Sequence, residues 1–189
     1  MANRRIPHRL TLRAVVSDVD GVLTDGTVIH APSAADPLGF LKGRAFHVHD
    51  GMGVQLLLAA GLKVGWMSSS QDDGVIRARA QGLRVCAVDV GEGDKGVRFE
   101  RLCAEMGVAP GETAYIGDDV NDLPAFERAG FTACPYDARP QVRSVAHMVL
   151  TTPGGRGAFR ELADAVLEHV DGTREASAGG ADPMTTPSV

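Results

Sequence analysis

The sequence predicts an α/β domain built on a doubly wound parallel sheet with helices on both faces. Two observations carry this expectation. Short β-type runs alternate with helical stretches through most of the chain, the βαβ rhythm that covers a parallel sheet on both sides. Residues able to do chemistry gather just after the strands, at the carboxyl edge where such sheets hold their ligands. A chain of 189 residues, 44% hydrophobic and 23% charged, has the balance of one soluble globular domain.

Ala14 to Val19 reads as an apolar first strand, and Val28 to His30 and Ala45 to Val48 flank a loop with proline and glycine, suggesting a β-hairpin flap. Gly53 to Ala60 carries a helical apolar face. Four β-type runs follow, at Lys63 to Met67, Arg84 to Val88, Thr113 to Ile116 and Phe131 to Cys134. Helical stretches at Val75 to Gln81, Lys95 to Met106 and Asp122 to Ala129 separate or follow them. A last helix, from about Ala158 to His169, sets Phe159, Leu162, Ala163, Val166 and Val170 at helical spacing. Residues 1–11 read as an N-terminal tail and 12–170 as the domain. Residues 171–189, rich in Gly, Pro, Ser and Thr without periodicity, read as a disordered C-terminal tail.

Composition excludes several classes of function. A formal net charge of −5 argues against nucleic-acid binding, which needs Lys and Arg clustered on one face. Cys86, Cys103 and Cys134 are widely spaced without a CxxC, so neither a disulfide framework nor a zinc site is expected. The longest apolar run, around Val54 to Ala60, is far short of the roughly 20 residues that span a bilayer. MANRRIPHRL leads into no secretory apolar segment, and a cytoplasmic protein is expected.

The chemistry starts at VVSDVDGVLTDG, where a strand delivers Asp18 and Asp20 into a glycine turn. Residues two apart on a strand share a side, so both carboxylates can converge on one small volume. Such a pair is costly to bury without a cation or a proton. Three further strand ends add SSS at Ser68 to Ser70, a Gly-rich stretch ending in Lys95, and GDDVND at Gly117 to Asp122. Carboxylates suit a hard cation such as magnesium. A hydroxyl and an ammonium can hold phosphate oxygens and neutralise charge in a transition state.

DVDGVLTDG, a hydroxyl after the next core strand, Lys95 and GDDVND, in that order, resemble the four motifs of the haloacid dehalogenase superfamily of phosphatases. With FHVHDGMGV at Phe46 to Val54 and GGRG at Gly154 to Gly157, the chain is similar to the capless phosphatases that act on 3-deoxy-D-manno-octulosonate 8-phosphate. The resemblance covers about Leu12 to Val170. It implies the Rossmann-like fold of that superfamily, with a flap and no cap domain. It implies Asp18 as nucleophile through an aspartyl-phosphate, and Asp20 as general acid and base. Magnesium would be held by the Asp18 and Asp118 carboxylates and the Asp20 carbonyl, with Asp119 and Asp122 in support. Ser68 and Lys95 would bind the phosphoryl group, Asp50, Gly51 and Gly53 would lie on a sugar-facing loop, and Arg156 would reach a carboxylate or phosphate. It also implies a homo-oligomer, most simply a tetramer, in which a neighbour covers the open site.

Plainer readings stand beside these. Ser68 can serve a turn, Lys95 can be a solvated first-turn lysine, and Asp119 and Asp122 can balance a helix dipole. GGRG can be a turn without an anion. His47 and His49 alternate as on a strand and read as surface residues, and Trp66 reads as core. Ser69, Ser70 and Gln71 stand where the family often has glycine and a basic residue, and His49 where it often has Arg. Those departures leave room for a nonulosonate 9-phosphate or another sugar phosphate as substrate. An oligomerisation module with little activity is the alternative from another class, and a phosphomutase would need a closed site.

Overall fold

Strand β1 (Ala14–Asp18) forms the middle of a six-stranded parallel sheet, and all five of its residues are buried. The structure is a computed structural model that describes residues 5–32, 40–71 and 74–178. The other strands are β4 (Lys63–Ser68), β5 (Ala87–Val90), β6 (Thr113–Ile116), β7 (Phe131–Cys134) and β8 (Met148–Val149). The order across the sheet is β5-β4-β1-β6-β7-β8. From β1 the chain winds outward through β4 to β5 and then crosses back to β6 on the other side of β1, which makes the boundary between β1 and β6 the switch point where a crevice opens. Asp18 stands level with Met67, and Ser17 with Ile116. The residues that follow these three strands therefore emerge together.

Alternation along the strands divides the core in two. Val15, Val64, Trp66, Ala114 and Ile116 face a layer formed by α1 (Val48–Ala59), α2 (Gly74–Leu83) and α6 (Ala158–Ala178). Val16, Met67 and Tyr115 face α3 (Lys95–Met106), α4 (Leu123–Phe126) and α5 (Pro140–Val145). In the first layer Gly53 lets α1 press on α6, since a Cβ there would lie 3.2 Å from the Arg160 Cα. In the second, the Tyr115 ring meets Phe99 and Phe126 edge-on at 5.4 and 5.8 Å, an arrangement aromatic quadrupoles favour.

The α/β architecture is as expected, with β5 at Ala87–Val90 where Arg84 to Val88 was expected and α4 held to Leu123–Phe126 where Asp122 to Ala129 was expected, and four further boundaries are corrected. The hairpin exists, but β2 (Ile29–Pro32) pairs with β3 (Phe40–Gly43) and not with Ala45 to Val48. Its expected proline-containing turn, residues 33–39, lies outside the described residues. His47 and His49 are not on a strand: the His47 ring accepts from the His49 N–H and caps α1, so the helix begins at Val48. Within the expected tail of residues 1–11, Ile6 is buried in the first core layer and the Leu10 carbonyl meets His169 Nε2 at 2.7 Å, so residues 6–10 pack on the domain. At the other end α6 continues past Val170 to Ala178, so residues 171–178 of the expected tail are helical, while 179–189 lie outside the described residues. The short β8 and α5 were not expected. Two strongly buried residues, Met148 and Val142, are too few to raise an apolar pattern.

Candidate active site

Helix α3 positions Lys95. Asp94 caps it, its carboxylate accepting from the Val97 N–H at 2.9 Å, and Gly107, in the left-handed conformation at φ 69°, ends it. Lys95 is thus fixed at the first turn with 2% of its surface exposed. Its Nζ donates to Asp18 Oδ1 and, at 2.6 Å, to Asp122 Oδ1. Lys95 is not a solvated lysine.

Asp122 organises the loop after β6. Its Oδ1 also accepts from the Tyr115 hydroxyl at 2.7 Å, and its Oδ2 from the N–H groups of Asp118 and Asp119 at 2.9 and 3.2 Å. A carboxylate has about four lone-pair positions, and these donors fill them. Carboxylate oxygens of Asp18, Asp118 and Asp122 lie within 4.8 Å of one another. Of the three, Asp122 is already saturated, which leaves Asp18 and Asp118 as the side chains able to turn an oxygen to a cation. Gly21, at φ 99°, and Gly117 clear the space: a Cβ on either would collide with the carboxylate of Asp118 or Asp122.

Charge is unbalanced here. Burial pushes the Asp18 carboxyl well above the usual range; Lys95 opposes the shift, and Asp122 and Asp118 add to it. Burial and then Asp122 push Asp118 up to about 7. Burial works against the Lys95 ammonium, but Asp18 and Asp122 together hold it above the ordinary lysine value. Three carboxylates facing one ammonium form the surroundings that a divalent cation with oxygen ligands fits.

Asp20 is held differently. Ser68 donates from Oγ to Asp20 Oδ2 at 2.9 Å and accepts from the Ser70 N–H at 3.0 Å. On the other oxygen, Arg44 Nε donates to Asp20 Oδ1 at 2.6 Å. The cleft above these groups, about 440 Å³, is lined by Asp18, Asp20, Ser69, Ser70 and the 118–121 loop. Asn121 reaches across it to Ser69 Oγ at 3.3 Å. Asp119 lies on its rim, where its carboxylate accepts from the Val120 N–H at 2.7 Å.

The structure brings Asp18, Asp20, Ser68, Lys95, Asp118, Asp119 and Asp122 together. The residues expected to face the sugar are elsewhere. Asp50 is buried and accepts from the Arg160 N–H at 2.9 Å, so it caps the first turn of α6. A side chain at Gly51 would meet Arg79 and Leu83 of α2, and one at Gly53 would meet α6; neither residue lines the cleft. Arg156 is exposed and does not line it either. The glycines beside it have a packing task, since a Cβ at Gly154 or Gly155 would strike the Gly21 to Asp25 loop.

Three contributors escaped the sequence reading. Arg44 reaches Asp20 from just beyond β3. Tyr115 carried a usable signal, because a hydroxyl on the strand before GDD must find a partner when buried. Arg98, three residues after Lys95, donates from Nη2 to the Ser68 carbonyl at 2.8 Å and pairs with Asp89, steadying the loop after β4.

Known proteins are similar to this chain in sequence and fold. A family model described as haloacid dehalogenase-like hydrolase matches residues 80–161. A 3-deoxy-D-manno-octulosonate 8-phosphate phosphatase of Haemophilus influenzae is 37% identical over 157 residues, 83% of each chain. A solved cobalt-bound form of that enzyme from Haemophilus influenzae superposes with a TM-score of 0.77 at 36% identity, covering 86% of this chain and 91% of the other. The Moraxella catarrhalis phosphatase, solved with magnesium, phosphate and the octulosonate sugar, also gives 0.77, at 29% identity over 89% of this chain and 92% of its own.

Proposed function

The chain belongs to the haloacid dehalogenase-like hydrolases and is a phosphatase, and from that premise we propose that it hydrolyses 3-deoxy-D-manno-octulosonate 8-phosphate with magnesium as cofactor. The observation that carries this reading is the convergence of Asp18, Lys95 and Asp118 at the carboxyl edge of the sheet. Magnesium, held by Asp18 and Asp118 and by the Asp20 carbonyl, would offset the carboxylate charge and draw electron density from the phosphoryl oxygens.

Lys95 holds Asp18 through Oδ1, which leaves Oδ2 to attack phosphorus. As the Asp18–phosphorus bond forms, the ester P–O bond breaks, and Asp20 passes a proton to the departing sugar oxygen. Water then attacks the aspartyl-phosphate, gives its proton to Asp20, and phosphate leaves with the carboxylate of Asp18 restored. Ser68 and Lys95 take part through Asp20 and Asp18, and Ser69 and Ser70 offer hydroxyls to the phosphate. Substrate reaches an open cleft, and exposed Val28, Ile29, Val48 and Met52 support a homotetramer in which a neighbour closes it. No helix among the described residues is long and apolar enough to cross a membrane. Three free thiols support a reducing, cytoplasmic setting.

The absence of a cation in Ser68 to Gln71 favours one second reading, a nonulosonate 9-phosphate of similar chemistry. Magnesium-dependent phosphate release, measured on octulosonate, nonulosonate and simple sugar phosphates, separates the two. Full turnover by Asp18→Asn would overturn the assigned nucleophile, and light scattering that finds a monomer would overturn the tetramer.

A further inference from the structure

Arg44 stands where the hairpin returns to the domain, directly after β3. Its side chain is only 3% exposed. Nε donates to Asp20 Oδ1 at 2.6 Å, and Nη2 donates to Ser70 Oγ at 2.8 Å. Nη1 is buried without a hydrogen-bond partner among the described residues. A guanidinium stays charged at any working pH, and burying one with an idle donor is costly. A structural role for the hairpin would be met more cheaply by an apolar side chain.

The geometry around Asp20 accounts for the arginine. The Asp20 carboxylate takes no part in the Asp18, Asp118 and Asp122 cluster. Its two oxygens are gripped from different segments, by Arg44 on Oδ1 and by Ser68 on Oδ2. One donor would leave the carboxyl plane free to turn about its bond to Cβ; donors on both oxygens fix it. Because the guanidinium is a rigid fork and its Nη2 is tied to Ser70, Nε cannot follow a rotating carboxylate. The partner residues Asp20 and Ser70 both line the cleft.

We propose that Arg44 is a positioning residue for Asp20, holding it in the one orientation from which it can pass a proton to the departing sugar oxygen. This rests on the reading of Asp20 as acid and base given above. The step served is cleavage of the ester P–O bond: its electron pair stays on the sugar oxygen, which takes the proton from Asp20, while phosphorus bonds to Asp18.

The test compares two substrates through kcat/KM, which reports the steps up to loss of the alcohol. One is a sugar phosphate, whose alkoxide needs a proton to leave; the other is p-nitrophenyl phosphate, whose phenolate does not. With the full chain and magnesium, Arg44→Ala is expected to lower kcat/KM for the sugar phosphate by up to about 100-fold and for the aryl ester by less than about threefold. In an Asp20→Asn background the alanine substitution is expected to add nothing, and Arg44→Lys to restore part of the loss. Equal losses on both esters, or full additivity with Asp20→Asn, overturn the proposal. Should Arg44→Ala fail to fold, Arg44→Gln is held to the same two outcomes. A wild-type chain that hydrolyses neither ester overturns the phosphatase reading itself, which distinguishes that failure from a failure of the role given to Arg44.

Discussion

Replacing Asp118 by Asn is expected to stabilise the metal-free protein while abolishing its response to magnesium. The change keeps the shape of the side chain and removes a charge that the fold holds at a cost. Asp118 ionises at about 7 in the folded chain, against an ordinary 3.8. The folded state therefore binds this proton more tightly than the unfolded chain does, so the linked stability is whole below about 3.8 and lost as pH rises through about 7. About three pH units at roughly 1.4 kcal/mol each give an upper bound near 4 kcal/mol. Partial contact with solvent reduces this to about 2 kcal/mol. For a chain of this size that corresponds to a rise in Tm of about 4–8 °C. The assay is thermal unfolding with a chelator at pH 8 and at pH 5, repeated with magnesium. Asp118→Asn should melt above wild type at pH 8, gain much less at pH 5, and show no further rise with magnesium. A variant that melts below wild type at pH 8 without metal would refute the charge argument, since the carboxylate would then be favourably held.

Lys95→Met leaves Asp18 and Asp122 without their ammonium. It is expected to cost about 3–5 kcal/mol in urea unfolding at pH 7 and to eliminate phosphate release. Gly21→Ala places a Cβ against the Asp118 carboxylate at φ 99°. It should weaken magnesium binding, read by titration calorimetry, by about 10-fold or more, and lower stability by about 1–3 kcal/mol. Deleting residues 1–11 removes the buried Ile6 and should cost about 1.5–3 kcal/mol for that side chain alone, seen as a lower urea midpoint.

The sheet and the acid cluster were legible because their signals are local. A β-type run followed by DVDG or GDD tells where the strand ends and what its end presents, and the register of β1 with β4 and β6 does the rest. The bounds of β6, β7 and α3 came out as expected, the last because Asp94 and Gly107 punctuate it. What stayed hidden depends on contacts distant in sequence. Arg44 meets Asp20 across 24 residues and Asp50 meets Arg160 across 110, and nothing in the flanking residues announces either. Asp50 and the glycines near it resemble a ligand loop in sequence, but burial assigns them to helix packing. Ile6 fails for another reason: Ile6 and Leu10 alone among RRIPHRL are too few to raise a periodic signal, although the gap Ile6 fills is in the core.

Tyr115 joins two parts of the molecule that are usually mutated for different purposes. Its ring belongs to the aromatic layer with Phe99 and Phe126, while its hydroxyl holds the aspartate that steadies Lys95 and the 118–119 backbone. Loosening that layer tilts the ring and with it the hydroxyl. A selection for inactive variants should therefore return changes at Phe99 and Phe126 whose products still express and melt cooperatively, and chemical shifts reporting on Asp122 should move with them.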